Sequence, residues 1–139
     1  MKKFLSILFI VSVLCSCTDN EAYDDVPEPI ITFITQYWPN PVIESYSQPS
    51  ANKYRVDIKN GPSLEFDGEY SWTEVNGLGM PLPQIFLYDQ LPQKLYDYLQ
   101  AGEYLNQVFE VERNSTTYSL DLQTIDLYYD ISSGTIRQN

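Results

Sequence analysis

Tyr54-Arg55-Val56-Asp57-Ile58-Lys59-Asn60-Gly61-Pro62-Ser63-Leu64-Glu65-Phe66-Asp67 is the stretch on which the fold turns. Tyr54, Val56 and Ile58 alternate with Arg55, Asp57 and Lys59. Successive side chains of a strand point to opposite faces, so this period of two makes one apolar face and one charged face. Asn60-Gly61 predicts a hairpin turn, because both residues tolerate positive φ. Leu64 and Phe66 then alternate with Glu65 and Asp67 on the return strand. An antiparallel hairpin with one face to bury is the unit from which the rest is read.

Upstream, Ile30, Ile34, Tyr37 and Trp38 fall at i, i+4, i+7 and i+8, one face of a helix. Pro29 suits its first turn, and Pro39 and Pro41 end it. Val42 to Tyr46 reads as a strand, and Ser47 to Asn52 as a turn. Downstream, Trp72 and Val75 continue the sheet. Pro81, Pro83 and Pro92 bracket an expected linker. Leu91, Leu95, Tyr98 and Leu99 repeat the helical face, with Gly102 placed for a left-handed cap. Val108 to Val111 gives a short strand. Tyr118, Leu120 and Leu122 alternate with polar residues, as do Leu127 and Tyr129, before Gly134 and the end.

The halves align as a tandem repeat. Tyr54, Val56 and Ile58 match Tyr118, Leu120 and Leu122, about 64 residues on. Leu64, Phe66 and Asp67 match Leu127, Tyr129 and Asp130, with one residue lost from the turn. Apolar stripes on helices and apolar faces on strands bury each other as two layers. The expected class is α+β, a tandem repeat of helix plus antiparallel strands, with the helices on one face of the sheet.

The N-terminus reads as an address. Lys2 and Lys3 precede an apolar run from Phe4 to Leu14, shorter than the roughly 20 residues that a membrane span needs. Leu14-Cys15-Ser16-Cys17 matches a lipobox. Residues 1–16 are therefore expected to be a lipoprotein signal peptide, and Cys17 the lipidated first residue, tied to the membrane by acyl chains at about 0.8 kcal/mol per buried CH₂. Residues 17–28 are expected to be an acidic tether, and 29–139 one domain of two repeats, about 29–77 and 88–137. Asp19, Glu21, Asp24 and Asp25 resemble the surface-export signal of Bacteroidetes lipoproteins; a solvated linker is the other reading. They lack the glycine and spacing of an EF-hand loop, so no metal is expected there.

Removing 16 residues from 139 leaves 123, enough for one real core. Two of the eight basic residues leave with the leader, so six face 19 acidic ones, a net charge of −13. That charge repels nucleic acid, whose binding needs Lys and Arg on phosphates. It suits a solvated envelope protein or a partner with a basic face. Twelve tyrosines suit half-buried strand faces and binding surfaces alike.

The order of helix, strand, Tyr54 to Gly61, Leu64-Glu65-Phe66-Asp67 and Trp72 resembles the PepSY-like, beta-lactamase-inhibitor-like family of Bacteroidetes envelope lipoproteins, in which a "YxVxLxNG…FD…W" pattern occurs in tandem. The resemblance covers roughly residues 28 to 137. The second copy departs from it: Gln123-Thr124 replaces Asn-Gly, Tyr129 stands for Phe, and no Trp follows. The resemblance implies a small secreted module that binds protein or peptide.

The chain has no histidine. This removes the usual general base, the serine triad and histidine zinc sites. The thiol of Cys17 is expected to be blocked. Asn76-Gly77-Leu78-Gly79 runs into Met80-Pro81, which does not open a dinucleotide-binding helix. Asn114-Ser115-Thr116 matches a glycosylation sequon but reads first as a polar turn. No enzyme activity, cofactor, metal or nucleic-acid partner is expected. Two functions remain: an envelope lipoprotein, on the periplasmic side of the outer membrane or on the cell surface, that binds a basic protein or peptide through a sheet face carrying Tyr128, Glu110 and Glu112; or a structural or accessory lipoprotein without a ligand. A large apolar-aromatic patch on the solvent face would favour the first, and a uniformly charged face the second.

Overall fold

The computed structural model describes residues 21–139, so the signal peptide expected over residues 1–16 and the lipidation expected at Cys17 lie outside the described residues. Eight strands lie side by side in the order of the chain, every neighbouring pair antiparallel. They are β1 (Ile43–Ser50), β2 (Lys53–Ile58), β3 (Ser63–Asp67), β4 (Trp72–Asn76), β5 (Val108–Arg113), β6 (Thr117–Leu122), β7 (Asp126–Asp130) and β8 (Ile136–Gln138). Helices α1 (Glu21–Asp25) and α2 (Glu28–Tyr37) precede the sheet, and α3 (Gln84–Gln90) and α4 (Gln93–Ala101) join β4 to β5. The order of two helices then four strands thus occurs twice among the described residues.

The alternation resolves as expected. Val56, Ile58, Leu64, Phe66, Leu120, Leu122 and Leu127 join one apolar cluster with Ile30, Ile34, Leu95 and Leu99 of the helices. Tyr54 and Tyr118 lie at its margin, partly buried. One polar network spans the layers. The Trp72 indole N–H donates to Gln90 Oε1 at 2.9 Å, and Gln90 Nε2 donates to the Tyr37 hydroxyl at 2.7 Å. Tyr37 in turn donates to Asp89 at 3.0 Å.

Several expectations need correction. The residues between Pro83 and Pro92 are a helix, not a linker, and Phe86 and Leu87 are fully buried. The prolines begin helices here: Pro27, Pro83 and Pro92 all sit at N-caps with φ between −52 and −57. A missing N–H costs nothing at that position, and each proline carbonyl still accepts a helical amide, as Pro83 does from Leu87 at 3.2 Å. Leu91 belongs to neither helix. The residue before a proline is pushed out of the helical region, and Leu91 is extended at φ −86, ψ 149.

The first strand runs on through residues 47–50, which were expected to turn. Those residues are exposed on both faces, so they show no period, and Pro49 is tolerated on an edge strand. In the Asn60-Gly61 turn only Asn60 takes positive φ, at 55°. Gly61 is needed for another reason: a Cβ there would come within 2.9 Å of Ile58 Cγ2. At the end of α4 it is Glu103, not Gly102, that is left-handed, at φ 60°. The tether is folded in its second half: α1 runs from Glu21 to Asp25, and Val26 is 6% exposed in the core. The chain also adds β8 after Gly134, pairing Ile136 with Tyr129. The sequon is a turn, with Asn114 Oδ1 accepting the amides of Thr116 and Thr117 at 2.9 Å.

A charged open face on the sheet

The helices cover one side of the sheet; the opposite side carries the charged members of each strand. Register turns them into rows. Arg55, Glu65, Glu74, Glu112, Ser119, Tyr128 and Arg137 are successive partners across β2 to β8. A second row runs Asp57, Ser63, Asn76, Glu110, Asp121, Asp126. Directly opposed side chains are close neighbours, and like charges so placed destabilise a sheet. The centre of this face is therefore an acidic field, with Lys53 and Arg55 on one flank and Arg137 on the other.

Tyr128, Glu110 and Glu112, the residues singled out from the sequence, line one shallow depression of about 190 Å³ together with Ser119, Leu120, Asp121 and Asp126. Asp121 and Asp126, on the polar side of their strands by alternation, and Glu74 belong to this face too, although the sequence does not single them out. Alternation counted from Trp72 would put Glu74 on the buried side; Trp72 and Val75 are both buried, three residues apart, because the strand bulges at Thr73. The neighbours of Glu74 were not legible without the register.

The carboxyls differ by their surroundings. Burial, then contact with the carboxyls of Glu110 and Glu65, pushes Glu74 up to about 8. Burial and the nearby Asp126 and Glu110 raise Asp121 above the usual carboxylate range. Burial works to raise Asp57 too, but hydrogen bonds outweigh it and hold the group below its ordinary value. Ser45 and Ser63 each donate to it at 2.6 Å, and Arg55 lies at 3.4 Å. Among the described residues the ion pairs are Lys53 with Glu65, at 3.5 Å, and Arg55 with Asp57. None reaches Glu74, Glu110 or Glu112.

Among the described residues, no group of three or more His, Cys, Asp or Glu is disposed to hold a metal ion. No described helix is long and apolar enough to cross a membrane. A separate apolar cleft of about 170 Å³ lies at one end of the sheet, between Trp38, Pro62, Met80 and Leu82.

No curated protein matches the chain. Solved structures do. A protein titled "a putative calcium-regulated periplasmic protein" from Bacteroides thetaiotaomicron superposes with a TM-score of 0.68 at 21% identity, covering 84% of this chain and 92% of its own. Two proteins from Bacteroides vulgatus, each titled "a putative periplasmic protein" and one of them as of unknown function, give the same TM-score and the same share of this chain at 23% and 20% identity, covering 92% and 93% of their own. At such identities the likeness is one of fold. The sequence signature described as "Putative beta-lactamase-inhibitor-like, PepSY-like" matches residues 18–70 and again residues 52–137. These matches span nearly all of the folded domain and both of its strand sets, and the chain belongs to that PepSY-like family.

Proposed function

We propose that this protein is a non-enzymatic envelope lipoprotein, anchored through Cys17 in the outer membrane, whose open sheet face docks a basic segment of a protein or peptide in an inhibitor-like manner. The observation that carries this reading is the acidic field itself. Glu65, Glu74, Glu110, Glu112, Asp121 and Asp126 occupy five adjacent strands on a face that no helix covers. Tyr128 stands beside them as a ring with a polar tip, the type of side chain that binding surfaces favour. The inhibitor-like family description supports protein binding, and the periplasmic titles of the structural neighbours support an envelope location.

The depression is shallow and small beside the roughly 300–1,000 Å³ of pockets that enclose small molecules. A lysine- or arginine-bearing strand or loop fits a shallow acidic surface better than a substrate does. One observation favours the accessory reading instead: the open face is charged, with no broad apolar-aromatic patch to supply affinity. Docking here would rest on charge and be weak, fast and salt-dependent.

The test is direct. The purified protein is titrated with a lysine-rich peptide at about 0.05 M and about 0.3 M salt, where the screening length shortens from roughly 14 Å to 6 Å. Saturable binding that weakens several-fold at the higher salt supports the reading. Binding that ignores salt, or no binding at either, favours the accessory role.

A further inference from the structure

The two sets of four strands meet at β4 and β5, and this seam has an unusual make-up. It holds three residue pairs, Glu74 with Glu112, Val75 with Val111 and Asn76 with Glu110, extended by the Gly77 amide on the Phe109 carbonyl at 2.7 Å. The junctions β2–β3 and β6–β7 hold five pairs each. On the open side of the seam Glu74 faces Glu112 and Asn76 faces Glu110, so three of the four groups are acids. At one end it is clasped from β5 by Arg113, whose guanidinium lies 3.8 Å from the Trp72 ring centre. Arg113 also donates to the Trp72 carbonyl at 2.8 Å and to the Ser71 hydroxyl at 3.0 Å. The clasp uses the one arginine near the seam and leaves it none for the glutamates.

Glu74 stands between acids on both sides. From β3 comes Glu65, whose own cation, Lys53, sits behind it on β2, while Arg55 is held by Asp57. From β5 come Glu112, directly opposite, and Glu110, with Asp121 behind Glu110 on β6. No helix covers this side. The Glu74 carboxyl is partly buried, and the nearby carboxyls of Glu110, diagonally across the seam, and of Glu65 strengthen its hold on a proton. Two carboxylates have only acceptors to offer each other, so a hydrogen bond between them needs a proton.

We infer that a proton held on Glu74 ties the two halves of the sheet together, and that the β4–β5 seam loosens when this proton leaves. The strand register carries the inference, and it stands whether or not the face binds a partner. With the proton, Glu74 donates across the seam to Glu110. Without it, four carboxylates on three adjoining strands confront one another, and the seam keeps Val75–Val111, Asn76–Glu110, its backbone bonds and the Arg113 clasp. The sign is opposite to that of an ordinary paired carboxylate. The folded protein binds the proton more tightly than the unfolded chain, so stability is full below about 4.5 and falls as pH rises through about 8.

Carbon-13 NMR of the glutamate carboxyls in the wild-type protein reads the proton directly, with Glu74→Gln assigning the signal. A midpoint near pH 8 is expected, and one near 4.5 overturns the inference. Thermal unfolding at pH 6 and pH 9 reads the seam. The wild-type midpoint is expected to fall between these values while that of Glu74→Gln holds, since the amide cannot ionise. An equal fall in both proteins overturns the coupling to the seam.

Discussion

The covered face and the open face of the same eight strands are built on opposite principles. On the covered face Val56, Leu64, Val75, Val111 and Leu127 are wholly buried, and the few polar groups there are paired, as Trp72 and Tyr37 are through Gln90. On the open face like charges stand opposite one another, Glu74 by Glu112 and Asp121 by Asp126, in positions that cost stability. A sheet under selection for stability alone would alternate signs, as β2 and β3 do with Lys53 opposite Asp67 and Arg55 opposite Glu65. One face holds the fold together, and the other bears a charge that the fold does not need.

Changes on the covered face should have the largest effects. Phe66 is 1% exposed and meets Phe33 edge-on, with ring centres 5.7 Å apart. Phe66→Ala should cost about 3–5 kcal/mol of unfolding free energy. A denaturant midpoint unchanged by this substitution would erase the distinction between the faces.

Gln90→Leu comes next. It leaves the buried Trp72 indole N–H without its acceptor and removes a donor to Tyr37. The expected loss is about 1–3 kcal/mol by the same measurement. A neutral result would mean that water serves the indole equally well.

Asp57 sharpens the comparison within the open face, because its shift runs against that of Glu74. Its folded value lies below the ordinary one, held there by Ser45, Ser63 and Arg55. The stability that it contributes is present above the ordinary carboxylate range and lost as pH falls through the lower folded value. Asp57→Asn should flatten the acid end of the stability profile and leave the alkaline end alone. An unaltered acid limb would show that these hydrogen bonds carry no net stability. The effect should be small, since the group is partly exposed to water.

The sequence was most legible where one face is buried and the other wet. There the period of two marks β2, β3, β6 and β7, and the helical period marks α2 and α4. It failed where that contrast vanishes. The far half of β1 is exposed on both faces. The two-turn α3 is too short for its period to show, and its flanking prolines read as breaks although they serve as caps. Of the open face, Glu110, Glu112 and Tyr128 could be named from their strands alone. Asp121 falls on the polar side of β6 by alternation and Glu74 is hidden by a bulge, but the raised carboxyls of both come from neighbours on other strands, and only the register supplies those. The lipidation expected at Cys17 lies outside the described residues.

On the proposed reading, the acidic field serves recognition and not stability. This is tested most directly in one protein, the triple variant Glu110→Gln, Glu112→Gln, Asp121→Asn, measured for two properties against the wild type. Binding of the lysine-rich peptide at low salt should be lost or weakened at least several-fold, while the unfolding midpoint at neutral pH holds or rises as like charges are removed. A variant that keeps its peptide binding, or that loses stability by more than about 1 kcal/mol, the scale of an ordinary destabilising substitution, would contradict the account.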